Sequence, residues 1–116
     1  MTAGMTVVAI GRVHGIASGR AQLVELMRRT AAAARAEPGC RSYDFAEVLD
    51  GTDEFVVVHE WDDEAALDAH YGGAVNEAYR QGVFGLLARP SELVIHRVAS
   101  TQRPVDAGPM DPREAD

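Results

Sequence analysis

The sequence predicts an α+β protein with the ferredoxin-like, split βαβ architecture, in which helices cover one face of a four-stranded antiparallel sheet. Two kinds of pattern lead to this prediction. Short runs rich in Val and Ile are typical of strands, and longer runs with apolar residues three and four apart are typical of helices. The runs follow one another in the order strand, helix, strand, strand, helix, strand, which is that of the split βαβ motif.

The first strand and the first helix come from the N-terminal part of the chain. Val7 to His14 is a run of mainly β-branched and small residues, and Ser18 is a helix N-cap candidate just after it. A helix is predicted from Arg20 to Glu37, and Pro38-Gly39 ends it because proline cannot continue the hydrogen-bond ladder. The apolar positions at helical spacing are Leu23, Leu26, Met27, Ala31 and Ala34.

The second and third strands are predicted to be antiparallel neighbours joined by a hairpin loop. Arg41 to Leu49 alternates between apolar and polar residues, and Phe55 to Trp61 is the most strand-like run of the chain. Between them, residues 50–53 read Asp-Gly-Thr-Asp, which is typical of a hairpin loop. The residues expected to share one face of the second strand are Tyr43, Phe45 and Leu49.

The remaining elements are a helical region in two parts and a last strand. Asp62 or Asp63 caps a helix that ends at Gly72-Gly73, and a further helical piece is predicted from Val75 to Leu87. Glu92 to Val98 is the fourth strand. We therefore expect one domain over residues 6–99, a flexible N-terminus over 1–5 and a flexible proline-containing tail over 100–116.

Composition excludes several classes of function. A chain of 116 residues supports one core, and its longest apolar runs are well short of the roughly 20 residues that span a bilayer. No secretory signal is recognised, so a cytoplasmic protein is expected. The net charge of −7 disfavours nucleic acid and anionic membranes as partners, and Cys40, the single cysteine, excludes an internal disulfide or a cysteine-built zinc site.

Both faces of the predicted sheet are apolar. Val8 and Ile10 lie on the opposite face from Val7 and Ala9, and the third and fourth strands repeat this pattern. Helices on one face would leave the other in water. Burying several hundred Å² of it at about 25 cal/mol per Å² stabilises an assembly by several kcal/mol before association costs. A homodimer joined through its sheet faces is therefore expected.

Aromatic and titratable residues are concentrated where the third strand meets the following helix. His59 and Trp61 share strand parity with Phe55 and Val57, so all four should face the same side of the sheet. His70 follows on the helix. A core could require Trp61, but it seldom requires two histidines as well, and this excess indicates a site.

Three stretches in this predicted fold resemble the antibiotic biosynthesis monooxygenase (ABM) domain family. They are Glu-Pro-Gly-Cys from Glu37 with the following Ser-Tyr-Asp, then Glu60-Trp61, and then Ala-Leu-Asp-Ala-His ending at His70. The resemblance covers roughly residues 6–99. It implies a dimeric α+β barrel with a pocket between sheet and helices. It also implies oxidation of a small phenol, hydroquinone or anthrone by O₂ without metal, flavin or haem.

The resemblance also implies site residues. Trp61 matches a tryptophan that lines the pocket and stacks on or hydrogen-bonds the substrate, and His70 or His59 would be the base. Arg80 lies within one position of an arginine that stabilises substrate anions. Phe55 shares the parity of Trp61, and the residues expected to pack with hydroxyls at the pocket rim are Tyr43, Tyr71 and Tyr79. Structural roles are the alternatives for three of these residues. Trp61 would be a core residue, His70 a structural histidine and Arg80 an exposed helix arginine.

Departures from the family pattern leave other functions open. Val57 and Leu67 stand where the polyketide-modifying branch has Asn and Tyr. These missing polar groups favour a non-catalytic dimeric module that binds a small apolar ligand. A cofactor-free isomerase or lyase of the same superfold is a third alternative. The haem-degrading branch is set aside, because His70, Arg80 and Gly11 occupy its key positions.

Overall fold

A computed structural model describes residues 4–105 and confirms the α+β, ferredoxin-like fold. Four strands form one antiparallel sheet in the order β2-β3-β1-β4, so the first and third strands are central. The elements in chain order are β1 (Val7–His14), a short 3₁₀ turn (Ala17–Gly19), α1 (Arg20–Arg35), β2 (Cys40–Glu47), β3 (Glu54–Trp61), α2 (Glu64–Tyr71), α3 (Ala74–Gly82) and β4 (Glu92–Arg97).

The strand register puts one set of side chains beneath the helices and another on an open face. Val7 pairs with Trp61, Ala9 with His59 and Val13 with Phe55, and the side chains of these pairs are buried. Alternate residues point the other way. The open face carries the apolar residues Val8, Ile10, Val56, Val58 and Val94, of which Val94 is 53% exposed.

Two clusters of buried side chains hold the helices to the sheet. One contains Trp61, Tyr43, Val57 and Leu67 at the end of the sheet where α2 begins. The other contains Val13, Leu23, Met27 and Phe55 at the opposite end. The first is called the Trp61 cluster and the second the Leu23 cluster.

Two local expectations need correction. The helical piece predicted as far as Leu87 ends at Gly82, because Gly85 adopts φ +82° and turns the chain so that Leu86 and Leu87 pack on the Leu23 cluster. Leu49, expected beside Tyr43 and Phe45, is 99% exposed, because β2 ends at Glu47 before reaching it.

The ends of the chain and the helix lengths complete the description. Residues 101–105 are exposed and carry no regular structure, and the rest of the predicted tail, 106–116, lies outside the described residues, as do 1–3. Within 4–105, none of the helices combines the length and the apolar character that crossing a membrane requires.

Candidate functional site

Strand β3 brings His59 and Trp61 to the same side of the sheet, because two residues along a strand restore the direction of the side chain. His59 is 2% exposed and Trp61 is fully buried. The indole Nε1–H of Trp61 donates to Nδ1 of His59 over 2.7 Å. The two rings meet edge to face, with their planes at 88°. The tryptophan is thus a direct hydrogen-bond partner of one buried histidine.

The last turn of α2 brings the second histidine to the same place. Asp63 caps this helix by accepting from the backbone N–H of Ala66, which fixes where its turns fall. His70 is 1% exposed and stacks on Trp61, with ring centroids 4.8 Å apart. Its Nδ1 lies 2.6 Å from Oε1 of Glu37, in the turn that follows α1. Helix, turn and strand therefore converge on one imidazole.

Tyr43 on β2 and Tyr71 at the end of α2 complete the group of rings. Tyr43 stacks on His59, with centroids 4.4 Å apart and planes at 28°. It also meets His70 edge-on at 5.4 Å, and Tyr71 lies 5.3 Å from His70. We call Tyr43, His59, Trp61, His70 and Tyr71 the ring cluster. It lies where β3 meets α2, the region in which the sequence concentrates aromatic and titratable residues.

A cavity of about 300 Å³ lies between the sheet and the second and third helices. Its wall includes five of the residues predicted for the site or its rim, which are Tyr43, His59, Tyr71, Tyr79 and Arg80. Trp61 and His70 do not line it and lie behind this wall. The remaining lining residues are mostly apolar and include Gly11, Val13, Phe45, Val57 and Leu93.

Phe55 lies in the Leu23 cluster and does not line this cavity. The guanidinium of Arg20 lies over its ring, 5.4 Å from the ring centroid. Phe55 also borders a separate groove of about 470 Å³ beside α1. The strand parity predicted for it is observed, but parity alone places a side chain on a face and not at a given end of that face.

Burial sets the electrostatics of the site. Burial, with a smaller contribution from the neighbouring His70, lowers the pKa of His59 to about 4. Burial raises the pKa values of Tyr71 and Tyr79 to about 12 and also raises that of Tyr43. These groups are therefore neutral at physiological pH.

Three polar atoms of the site are buried without a hydrogen-bond partner among the described residues. They are Nε2 of His70 and the hydroxyl oxygens of Tyr71 and Tyr79. Buried polar groups are usually satisfied, and those that are not tend to belong to sites that bind or react. The side chain of Arg80, in contrast, is 70% exposed, and its guanidinium lies 3.7 Å from the carboxylate of Glu77, in the range of a weak surface ion pair.

Sequence reasoning missed Glu37 and Asn76 as site residues. Glu37 was noted only as part of the Glu-Pro-Gly-Cys stretch, and nothing in the sequence places it next to His70, which is 33 residues away. Asn76 lines the cavity and donates from Nδ2 to the backbone oxygen of Tyr71. Its signal in the sequence was only a polar residue at the start of a helix.

The arrangement offers the imidazole of His70 paired with a carboxylate, the neutral imidazole of His59 and a small aromatic cavity. A carboxylate bound to one nitrogen of a histidine orients the ring and favours protonation of that nitrogen, which leaves the other free to accept a proton. Among residues 4–105, we find no group of three or more His, Cys, Asp or Glu side chains placed to hold a metal ion.

Comparison with known proteins gives the same fold and a family. Rv0793 of Mycobacterium tuberculosis, named a putative monooxygenase, is 36% identical over 89 residues, which is 77% of this chain and 87% of that protein. Its solved structure matches with a TM-score of 0.73 at 33% identity, covering 90% of this chain and 99% of that one.

Two further relatives extend the comparison. An uncharacterized Synechocystis protein is 29% identical over 96 residues, which is 83% of this chain but only 65% of that protein, so the chain spans just under two thirds of it. A Deinococcus radiodurans structure described as a putative antibiotic biosynthesis monooxygenase has a TM-score of 0.79 at 23% identity, covering 86% of this chain and 99% of that one, and it supports the fold.

The sequence model of the antibiotic biosynthesis monooxygenase family matches residues 6–81, from the first strand to the end of α3. This span includes the whole ring cluster and Glu37. The chain belongs to the antibiotic biosynthesis monooxygenase family.

Proposed function

We propose that the protein is a cofactor-independent monooxygenase that oxidises a small phenol, hydroquinone or anthrone-like compound with O₂. The observation that carries this proposal is the cavity of about 300 Å³ with the ring cluster at its wall. A cavity of that volume is at the small end of the range for ligand sites and suits a compound of a few fused rings at most.

The chemistry requires little from the protein. A hydroquinone or anthrone that loses a proton becomes electron-rich enough to transfer an electron to O₂. The protein must bind the aromatic ring, accept the proton and stabilise the anion that forms. Tyr43 and Tyr79 supply aromatic wall. Arg80, at the cavity and largely exposed, supplies a positive charge that can pair with an anionic oxygen.

His70 is the better of the two candidate bases. His59 lines the cavity, but its pKa of about 4 makes it a weak base at neutral pH. His70 is bound to Glu37 through Nδ1, so its Nε2 can accept a proton. Trp61 lies on the side of the histidines away from the cavity, where it donates a hydrogen bond to His59 and stacks on His70.

One observation favours a second candidate, the non-catalytic dimeric module that binds a small ligand. Nε2 of His70 is buried, and His70 does not line the cavity. A proton from a ligand in the cavity would have to pass the wall formed by Tyr43, His59 and Tyr71, or the ring cluster would have to open. A module that only binds its ligand needs neither.

O₂ uptake by the chelator-treated protein tests the proposal, with a panel of hydroquinones, catechols and anthrones corrected for autoxidation. We expect uptake above background, lowered about tenfold or more in His70→Ala because general-base catalysis contributes at least that much. His14→Ala, a histidine at the far end of β1, is the control and should leave uptake unchanged.

The other outcomes identify the alternatives. Binding without uptake, seen as pH-independent quenching of Trp61 fluorescence by the panel compounds, would support the binding module. Conversion of a panel compound without O₂ consumption would support an isomerase or lyase. Equal uptake by the wild-type protein and His70→Ala would contradict the assignment of the base.

We also propose a homodimer joined through the open sheet face. Ile10 and Val94 are directly paired on adjacent strands of that face and both are exposed. Sedimentation equilibrium at micromolar concentration should give twice the chain mass, and Val94→Glu should give a monomer because a charge would be buried without a partner. Leu49→Glu, in the exposed β2–β3 loop, should remain dimeric. A monomeric wild-type protein would refute the proposal.

A further inference from the structure

The two buried histidines are each held through the same atom, Nδ1, by partners of opposite chemistry. The indole of Trp61 can only donate a hydrogen bond, whereas a carboxylate, the group that Glu37 contributes, can only accept one in its ionised form. The distances are 2.7 Å from Trp61 Nε1 to His59 Nδ1 and 2.6 Å from His70 Nδ1 to Glu37 Oε1. The ring proton is therefore expected on different nitrogen atoms in the two histidines.

We propose that Trp61 and Glu37 are positioning residues that hold His59 and His70 in opposite tautomers, so that His59 presents an N–H and His70 presents a lone pair. The inference rests on the proposed function only for what these groups would do, the N–H of His59 donating to a ligand oxygen and the lone pair of His70 accepting a proton. The tautomers themselves follow from the hydrogen bonds of the free protein.

The tautomer of His59 follows from the fixed direction of the indole bond. Because Trp61 donates to Nδ1, that nitrogen must carry a lone pair, and the single proton of neutral His59 is on Nε2. Tyr43 stacks on this ring and limits its rotation. Since His59 lines the cavity, the group it can offer a ligand is an N–H. This favours a phenolate, quinone or ether oxygen over an amine at that position.

The tautomer of His70 is reversed by its partner. Glu37 accepts from Nδ1, so the proton of neutral His70 is on that atom and Nε2 carries the lone pair. Protonation of Nε2 would place a second donor in a buried position where the described residues offer no acceptor. In the neutral ring, Nε2 is therefore the nitrogen that can accept a proton.

This gives Trp61 a role that differs from the substrate stacking implied by resemblance. The indole lies behind His59 and outside the cavity lining, so it acts on a ligand through the histidine that it orients. Glu37 acts in the same way through His70. The two histidine centroids are 5.6 Å apart, so a donor and an acceptor are held side by side by partners from different elements.

Long-range ¹H–¹⁵N correlation of uniformly ¹⁵N-labelled protein at about pH 7.5 reads the tautomers directly. In the ligand-free protein we expect His59 to show a protonated Nε2 and His70 a protonated Nδ1. A protonated Nδ1 on His59, or a protonated Nε2 on His70, would overturn the inference. The exposed His96 provides a reference for a histidine without an imposed tautomer.

Two variants separate the positioning residues. Trp61→Phe removes the indole donor and should let His59 exchange between tautomers while His70 is unchanged. Glu37→Gln replaces the carboxylate by a group that can also donate, and should release His70 while His59 is unchanged. Tyr43→Phe keeps the ring on His59 without its hydroxyl, and both tautomers should persist. Tautomers that do not change in Trp61→Phe and Glu37→Gln would refute the role of these residues.

The amide spectrum of each variant reports whether it is folded. If Trp61→Phe does not fold, the Glu37→Gln arm and the wild-type spectrum still decide the inference. In a protein that consumes O₂, Glu37→Gln should also shift the pH profile of turnover, and Glu37→Asp should restore it in part. An absence of O₂ uptake would remove the proposed function and leave the tautomer assignment to be decided by the spectra alone.

Discussion

The two ends of the helix-covered sheet face are built from different kinds of side chain. The Leu23 cluster consists of Val13, Leu23, Met27 and Phe55, all of them apolar. The Trp61 cluster lies against two histidines that are almost completely buried and have hydrogen-bond partners of fixed direction. The first end needs only to exclude water. The second carries titratable groups whose burial lowers stability, and a stable fold tolerates that cost where the groups serve a purpose.

Leu23→Ala should give the largest effect, because Leu23 is fully buried in the purely apolar end. Removing a buried leucine side chain and leaving a cavity lowers the free energy of unfolding by about 2–5 kcal/mol. Urea denaturation measures this loss of unfolding free energy. The matched control is Val24→Ala, at the half-buried neighbouring position. A loss no larger than that of the control would show that the Leu23 cluster does not stabilise the fold as described.

The pH dependence of stability should distinguish the other end. The pKa of His59 is about 4 in the folded protein and 6.5 as a free side chain. Above pH 6.5 the histidine is neutral in both states, and stability is complete. As the pH falls from 6.5 to 4, the unfolded state binds a proton that the folded state does not, so about 3 kcal/mol of unfolding free energy is lost.

Other groups titrate in this window, so the comparison is made between variants. The groups facing His59 are Trp61, Tyr43, Tyr71 and His70, with Glu37 beyond His70. His59→Gln keeps a hydrogen-bond acceptor for the indole and should lose most of the extra acid sensitivity, whereas His14→Gln should keep it. Equal pH dependence in His59→Gln and wild type would contradict the lowered pKa.

Gly39 and Gly85 test whether the Trp61 end also depends on close backbone packing. Both have φ near +80°, where an alanine costs about 1 kcal/mol of strain. A Cβ at Gly39 would lie 2.5 Å from Cβ of Ala66, and at Gly85 it would meet no atom within 4 Å. Gly39→Ala should therefore lose about 1–3 kcal/mol more than Gly85→Ala in thermal denaturation. Equal losses would show that the turn beside Glu37 has room to adjust.

The fold was predictable because each element had a local signal. Strand alternation and helical spacing fixed the order of elements, and Asp63 and Gly39 marked the ends of two of them. One of the two boundaries that failed, the end of α3, depended on a tertiary contact: Leu86 and Leu87 lie near β1, with the backbone N–H of Ile16 donating to the backbone oxygen of Leu86. Apolar spacing alone cannot distinguish helix residues from turn residues that pack on the same core.

The candidate site was predictable only in part, for a similar reason. Parity gave the face of His59 and Trp61 correctly, but depth and partners depend on elements distant in sequence. Glu37 reaches His70 across 33 residues, and the position of Trp61 behind His59 follows from how α2 packs on the sheet. The roles of Trp61, His70, Arg80 and the tyrosines as site residues stay predictions until the variants are measured.

Tyr71→Phe and Tyr79→Phe should give the smallest effects on stability, with the opposite sign to those above. Both hydroxyls are buried without a partner among residues 4–105, so removing either one removes an unsatisfied polar group. The free energy of unfolding should stay the same or rise by up to about 1 kcal/mol. If ring rotation on binding lets these hydroxyls reach a ligand oxygen, the same variants should weaken the binding of a hydroquinone several-fold, measured by Trp61 fluorescence. A variant that is more stable but binds more weakly would show that the hydroxyl is kept for binding at the expense of stability, and would place that hydroxyl in the site. A clearly destabilised Phe variant would show instead that the hydroxyl already has a partner in the folded protein.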